Sequence, residues 1–138
     1  MARIQVVTAI TLDGFLPEPA GALVSWVRND RRGFPFWRER CSALILPHSI
    51  LDLLCEKDNR DDSFIYLAEI IEPESVELLR GLFLYDLVDE LVVYQLTFSA
   101  GQGIPVLNTF RPQHWELHKT TSFSNGICRL IYRKSCKM

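Results

Sequence analysis

An α/β fold, with a mainly parallel sheet, helices on both faces and a C-terminal antiparallel hairpin, follows from three observations. Strand-like and helix-like stretches alternate through the first two-thirds of the chain, and three strand-like runs fill the last third. The composition, 48% apolar and 23% charged over 138 residues, is that of a packed globular protein rather than a disordered one. A chain of this length can bury roughly two-thirds of its unfolded surface around one core, so residues 1–138 read as a single domain.

Ile4 to Ile10 is rich in β-branched residues and runs into Asp13-Gly14, which predicts a strand ending in a tight turn. Asn29 to Arg40 mixes charge with Phe34, Phe36 and Trp37 and predicts a helix, with Gly33 and Pro35 as breaking points. Ala43-Leu44-Ile45-Leu46 is a short apolar run read as a buried strand. It feeds a helix that Ser49 would cap, with Asp52 completing a capping box. Phe64 to Ile71 is a further strand, and Glu72-Pro73-Glu74-Ser75 opens a helix over Val76 to Tyr85. Glu72 and Glu74 are expected to cap that helix by placing carboxylates at its positive end. Glu90 to Leu96, Trp115 to Phe123 and Ile127 to Tyr132 complete the strands, the last two joined as a hairpin through Ser124-Asn125-Gly126.

Fifteen basic and seventeen acidic residues give a net charge of −2, and no basic run interleaves with aromatics, so nucleic acid is not an expected partner. Arg28, Arg31 and Arg32 form the densest positive patch. The first residues lack the pattern of a signal peptide, and no segment has the length and hydrophobicity of a membrane span. Cys41, Cys55, Cys128 and Cys136 show no C-x-x-C spacing, which favours unpaired thiols in a reducing cytoplasm over metal or redox chemistry. Adjacent carboxylates at Asp89 and Glu90 face opposite ways in a strand and read as structural. His114 and His118, without a recognisable ligand spacing, read as surface residues, so no metal site is expected.

Four segments carry a resemblance, in the right order. Thr11-Leu12-Asp13-Gly14-Phe15, followed by Trp26, is similar to a strand ending in S-L-D-G-F. Ser42 to Ile50 lies where a buried strand and a G-R-x-T turn would stand. Leu87-Val88-Asp89-Glu90-Leu91 matches L-V-D-E-L, and Ala100-Gly101-Gln102-Gly103-Ile104-Pro105-Val106-Leu107 resembles L-G-x-G-x-P-L-F. The chain resembles the dihydrofolate reductase-like superfamily, most closely the reductase domain of bacterial riboflavin biosynthesis. That resemblance implies a three-layer fold, a homodimer paired through its sheets, and NADPH passing hydride to a pyrimidine-type substrate beside Asp13, Trp26 and Asp30.

It also implies cofactor contacts at His48, Ser49 and Ser75, and here the chain departs from the family. Where the family has G-R-x-T, this chain has Pro47-His48-Ser49-Ile50, which lacks the arginine and the threonine hydroxyl. Where the family has a glycine cluster, it has Glu72-Pro73-Glu74-Ser75. Only nine residues separate Leu54 from Phe64, so a further strand and helix of the family are read as deleted near residues 55–63. Two functions follow as expectations: an NADPH-dependent reductase with degraded cofactor motifs, or a non-catalytic dimeric small-molecule-binding relative that has lost the cofactor. No catalytic residue is assigned.

Overall fold

The computed structural model describes residues 1–46, 50–110 and 112–135. Six strands form one sheet: β1 (Arg3–Ile10), β2 (Ala43–Leu44), β3 (Ile65–Ile70), β4 (Glu90–Gln95), β5 (Trp115–Ser122) and β6 (Cys128–Lys134). Their order is β2-β3-β1-β4-β6-β5. The first four in that order are parallel; β6 runs antiparallel to β4, and β5 antiparallel to β6. This is the mainly parallel sheet with a closing hairpin that the element pattern predicts.

Side-chain alternation explains the layers. Along β1, Ile4, Val6 and Ile10 point to one face, while Val7 and Ala9 point to the other. Helices α3 (Ile50–Glu56) and α4 (Pro73–Leu84) cover the first face through Leu53, Val76, Leu79 and Leu82. The other face receives α1 (Ala22–Asn29) and α2 (Phe34–Arg38), whose Val24, Val27, Phe34 and Trp37 meet Leu67, Val92 and Tyr94. A strand covered on both faces needs apolar side chains at nearly every position, which the β1 sequence supplies.

Two local expectations need correction. The helix expected over Asn29 to Arg40 is confined to α2 (Phe34–Arg38): α1 already ends at Asn29, and the chain turns between the two at Gly33. A Cβ there would collide with the Val27 carbonyl, and Pro35 occupies the first turn of α2, where its missing N–H is tolerated. The run Ala43 to Leu46, read as a buried strand, pairs only over Ala43–Leu44 at the sheet edge. Leu44 is 48% exposed and Leu46 53%. An edge strand has one neighbour, and a short apolar run does not distinguish that position from a central one.

The charged stretch after α3 holds a buried anchor. Lys57, in a single 3-10 turn, donates from Nζ to the Ala2 carbonyl at 2.9 Å and to Asp89 Oδ2 at 2.7 Å. Asp89 also accepts the Ile4 N–H at 2.9 Å, whereas Glu90 accepts from Gln5 Nε2 at 2.5 Å and Arg133 Nε at 3.1 Å. Both carboxylates therefore hold strand ends together, the role their adjacency predicts. Among the described residues no helix is long and apolar enough to cross a membrane.

Leu79 is fully buried between α4 and the sheet. Leu79→Ala should therefore lower unfolding stability by about 2–5 kcal/mol, read as a lower urea midpoint at unchanged slope.

Candidate functional site

In an open α/β sheet, the crevice that can take a ligand lies at the carboxyl ends of two adjacent strands whose connections leave toward opposite faces. Here those strands are β1, which leads to α1 on one face, and β3, which leads to α4 on the other. The crevice between them is lined by Leu16, Pro17, Pro19, Glu72, Pro73 and Ile104, among others, and encloses about 110 Å³. Small-molecule sites generally run from about 300 to 1,000 Å³. The space suits no more than a small group.

Its walls are held by the β1 exit loop and the glycine loop. Leu16 N–H donates to the Ile104 carbonyl at 2.8 Å, and Val106 N–H to the Gly14 carbonyl at 3.0 Å. Asp13 clasps the same two segments. Its carboxylate accepts from Thr11 Oγ1 at 2.6 Å, Ala100 N–H at 3.0 Å and Gly101 N–H at 2.7 Å. These hydrogen bonds, the Thr11 hydroxyl first among them, hold the Asp13 carboxyl at about 2 against an ordinary 3.8. Asp13 is a loop clasp with most of its acceptor capacity already used.

At the start of α4, hydrogen bonds within the chain use donors that a bound phosphate would need. Ile71 N–H donates to Ser75 Oγ at 3.1 Å, Ser75 Oγ donates to the Glu72 carbonyl at 2.6 Å, and Ser75 N–H donates to that same carbonyl at 3.0 Å. Pro73 has no N–H. Glu72 stands at the N-cap position but makes no side-chain cap bond; its carboxylate pairs with Arg28 of α1 instead. The expected capping by Glu72 is therefore replaced by the Ser75 hydroxyl, which reaches the local backbone as the longer glutamate does not. Glu74 does lie in the first turn.

Trp26 and Asp30 sit together on the opposite face of the sheet, at the end of α1. The Trp26 ring lies 4.9 Å from that of Phe123 and 6.4 Å from that of Tyr94, with the Arg32 guanidinium 5.3 Å from its centre. Asp30 accepts from Arg32 Nε at 2.9 Å and Nη2 at 3.1 Å, and that fork holds its carboxyl at about 2. Below them, Trp37 Nε1 donates to Tyr94 Oη at 3.0 Å, and Tyr94 Oη donates to the Arg32 carbonyl at 2.6 Å. Burial raises the Tyr94 phenol above its ordinary value against the opposing pull of the Trp37 N–H, and these bonds fix it as a strut between β4 and α2.

The sequence-predicted residues thus fall in three places. Trp26 and Asp30 share a cluster through Arg32, Asp13 holds the glycine loop, and Ser75 closes the start of α4. His48 and Ser49 lie outside the described residues. His114 and His118 are exposed, and among the described residues no group of acids, histidines and cysteines is arranged to hold a metal. The Arg28–Glu72 pair was invisible in the sequence because its members belong to helices on opposite faces. The described residues do not fit the pyrophosphate of a nicotinamide dinucleotide at α4, where Glu72 and Glu74 add negative charge, Pro73 has no N–H, and local bonds take the N–H groups of Ile71 and Ser75.

No family model matches the chain, and no curated protein matches it in sequence. Solved structures do. A diaminohydroxyphosphoribosylaminopyrimidine deaminase/5-amino-6-(5-phosphoribosylamino)uracil reductase from Thermotoga maritima matches at 14% identity and TM-score 0.64, covering 96% of this chain and 56% of that one. Acinetobacter baumannii RibD matches at 13% identity and TM-score 0.65, covering 98% and 58%. A pyrimidine reductase-like protein from Corynebacterium diphtheriae matches at 10% identity and TM-score 0.60, covering 96% and 92%. The chain spans a little over half the length of the first two. It has the dihydrofolate reductase-like fold of these reductases, as the sequence motifs anticipate.

Asp13 gives this site a pH signature. Its carboxyl is depressed in the folded state, so the stability it contributes is complete above about 3.8 and is lost as pH falls toward about 2. Asp13→Asn should therefore lower the urea midpoint clearly at neutral pH, with a gap from the unmodified protein that narrows through that acid window. A gap that stays constant with pH would contradict the clasp.

Proposed function

We propose that this chain is a dimeric small-molecule-binding relative of the riboflavin-biosynthesis reductases that does not take a nicotinamide dinucleotide in the crevice between β1 and β3. The observation that carries this reading is the start of α4. Ile71 N–H and Ser75 N–H are bonded within the chain, Pro73 offers none, and Arg28 is committed to Glu72. A carboxylate about 4 Å from a phosphate would oppose it by roughly 4 kcal/mol at an effective dielectric near 20. Pairing with Arg28 reduces that repulsion at Glu72 but removes the cation that could attract the ligand.

The ligand side of the reading rests on Trp26. Its ring is partly exposed, flanked by Phe123 and Arg32, and such a setting suits a flat heterocycle of the pyrimidine type. Those same residues support the second reading, an NADPH-dependent reductase acting on a pyrimidine-type substrate with the cofactor in another pose. Free thiols at Cys41, Cys55 and Cys128 agree with a cytoplasmic protein.

Dimer formation is proposed through the face of β4, β6 and β5 that α4 leaves uncovered. An apolar hollow of about 320 Å³ lies there, lined by Val93, Phe110, Trp115, Leu130 and Tyr132. Beside it Leu117, paired with Tyr132, is 54% exposed. Apolar surface of this kind is stabilised by a second copy.

Titration with NADPH, followed by tryptophan fluorescence, should give no saturable quenching in the micromolar range; saturable quenching with NADPH oxidation on addition of a pyrimidine substrate would establish the reductase reading instead. Sedimentation should give the mass of two chains, and Leu117→Arg the mass of one with the fold retained. A single-chain mass for the unmodified protein at micromolar concentration refutes the dimer.

A further inference from the structure

Beyond α4, on the face of the sheet that α3 and α4 cover, the hollow of about 320 Å³ reaches from the end of β1 across β4 to β6. Leu91 and Val93 of β4 and Leu130 of β6 line it, together with the rings of Phe110, Trp115 and Tyr132. Two of those rings are braced from α4. Phe83 is buried, with its ring centre 5.1 Å from that of Phe110 and 6.2 Å from that of Trp115. The hollow is therefore shaped by packed core side chains, and its volume falls in the range of small-molecule sites, about 300 to 1,000 Å³.

Its lining limits what it can hold. Among the described residues no charged side chain lines the hollow, so an ionised group entering it would lose its water with no charge to replace it. Polar groups are present, and they are unspent. The Gln95 amide, the Trp115 indole N–H and the Tyr132 hydroxyl all belong to lining residues that are partly buried, yet none of them makes a hydrogen bond among the described residues. Such groups ordinarily find a partner. Gln95 alone among the three offers an amide oxygen, an acceptor with two lone pairs, beside its donors.

We propose that this hollow is a binding site for a neutral aromatic molecule carrying an N–H or hydroxyl group, which donates to the Gln95 side-chain oxygen. The three rings receive its aromatic surface in tilted or offset contact, and the amide fixes its orientation. The site is separate from the Trp26 cluster, which lies on the other face of the sheet, and from the crevice between β1 and β3. It is complete within one chain. Leu117, whose exposure supports the dimer, lies beside the hollow and does not line it, so the site does not rest on the dimer.

Titration of the full chain with N-phenyl-1-naphthylamine, a neutral aromatic amine whose fluorescence rises in apolar surroundings, tests the assignment against its charged counterpart 8-anilinonaphthalene-1-sulfonate. The neutral probe should bind saturably in the micromolar range, one per chain, and the sulfonate more weakly. Leu130→Trp, which fills the hollow, should abolish binding. Gln95→Leu should weaken it by roughly two- to tenfold, the worth of one neutral hydrogen bond; Gln95 is partly exposed, so this variant keeps the test decisive should Leu130→Trp fail to fold. A merely greasy surface would bind more tightly in Gln95→Leu. That result, equal binding of the sulfonate, or no saturation overturns the proposal. Leu117→Arg should bind the neutral probe as the unmodified chain does, whatever the mass in sedimentation; loss of binding in that variant overturns the assignment to a single chain.

Discussion

Strand β1 has no solvent face. Its Ile4, Val6, Val7 and Ala9 are fully buried, and it carries β3 on one side and β4 on the other. That two-sided burial obliges helices to lie on both faces of the sheet. The connections from β1 and β3 then leave in opposite directions, and a crevice opens where they part. The location of the crevice is thus a consequence of how the centre of the sheet is packed. What fills it depends on the loops.

Those loops close on themselves. Asp13 holds the glycine loop through two N–H groups, and Ser75 holds the start of α4 through its hydroxyl and its own N–H. Backbone donors at a helix start can face a ligand or be satisfied locally; they cannot do both at full strength. With Pro73 withdrawing a donor and Glu72 reaching to Arg28, this helix start is resolved in favour of internal bonding. The packing of β1 and α4 does not depend on an anion at that helix start, so the fold leaves the chemistry of the crevice to its loops.

How much of this was legible in the sequence follows from the range of each interaction. Strands β1, β3, β4, β5 and β6 and helix α4 were readable because hydrophobic periodicity is local and long enough to count. The break at Gly33 was signalled, but the position of α1 was not, since the reason for it is the approach of Gly33 to the Val27 carbonyl. Exposure at Leu44 and Leu46 was hidden because burial of a short apolar run depends on its neighbours. At the site, the turn-forming character of Asp13 was visible in Asp13-Gly14, whereas its partners at Ala100 and Gly101 lie far along the chain. Lys57 shows the same limit from the other side: a charged stretch reads as solvent-facing until Asp89 and the Ala2 carbonyl are brought to it.

Charge is distributed unevenly over this fold, and the unevenness has a structural logic. At the amino ends of the parallel strands, Lys57 meets Asp89 and Arg133 meets Glu90, so each strand-end acid has a cation and the ends are locked. On the α1–α2 face, Asp30 and Glu69 are answered by Arg32 and Arg38, yet Arg40 and Arg129 are answered by aromatic rings. Rings are weaker partners for a buried cation than a carboxylate would be. A chain of net charge −2 has enough acid to neutralise every guanidinium, and its fold leaves these two with rings and neutral acceptors, the Phe36 carbonyl for Arg40 and the Thr121 hydroxyl for Arg129. The excess positive charge is therefore a property of how α2 and β6 are placed, not of composition.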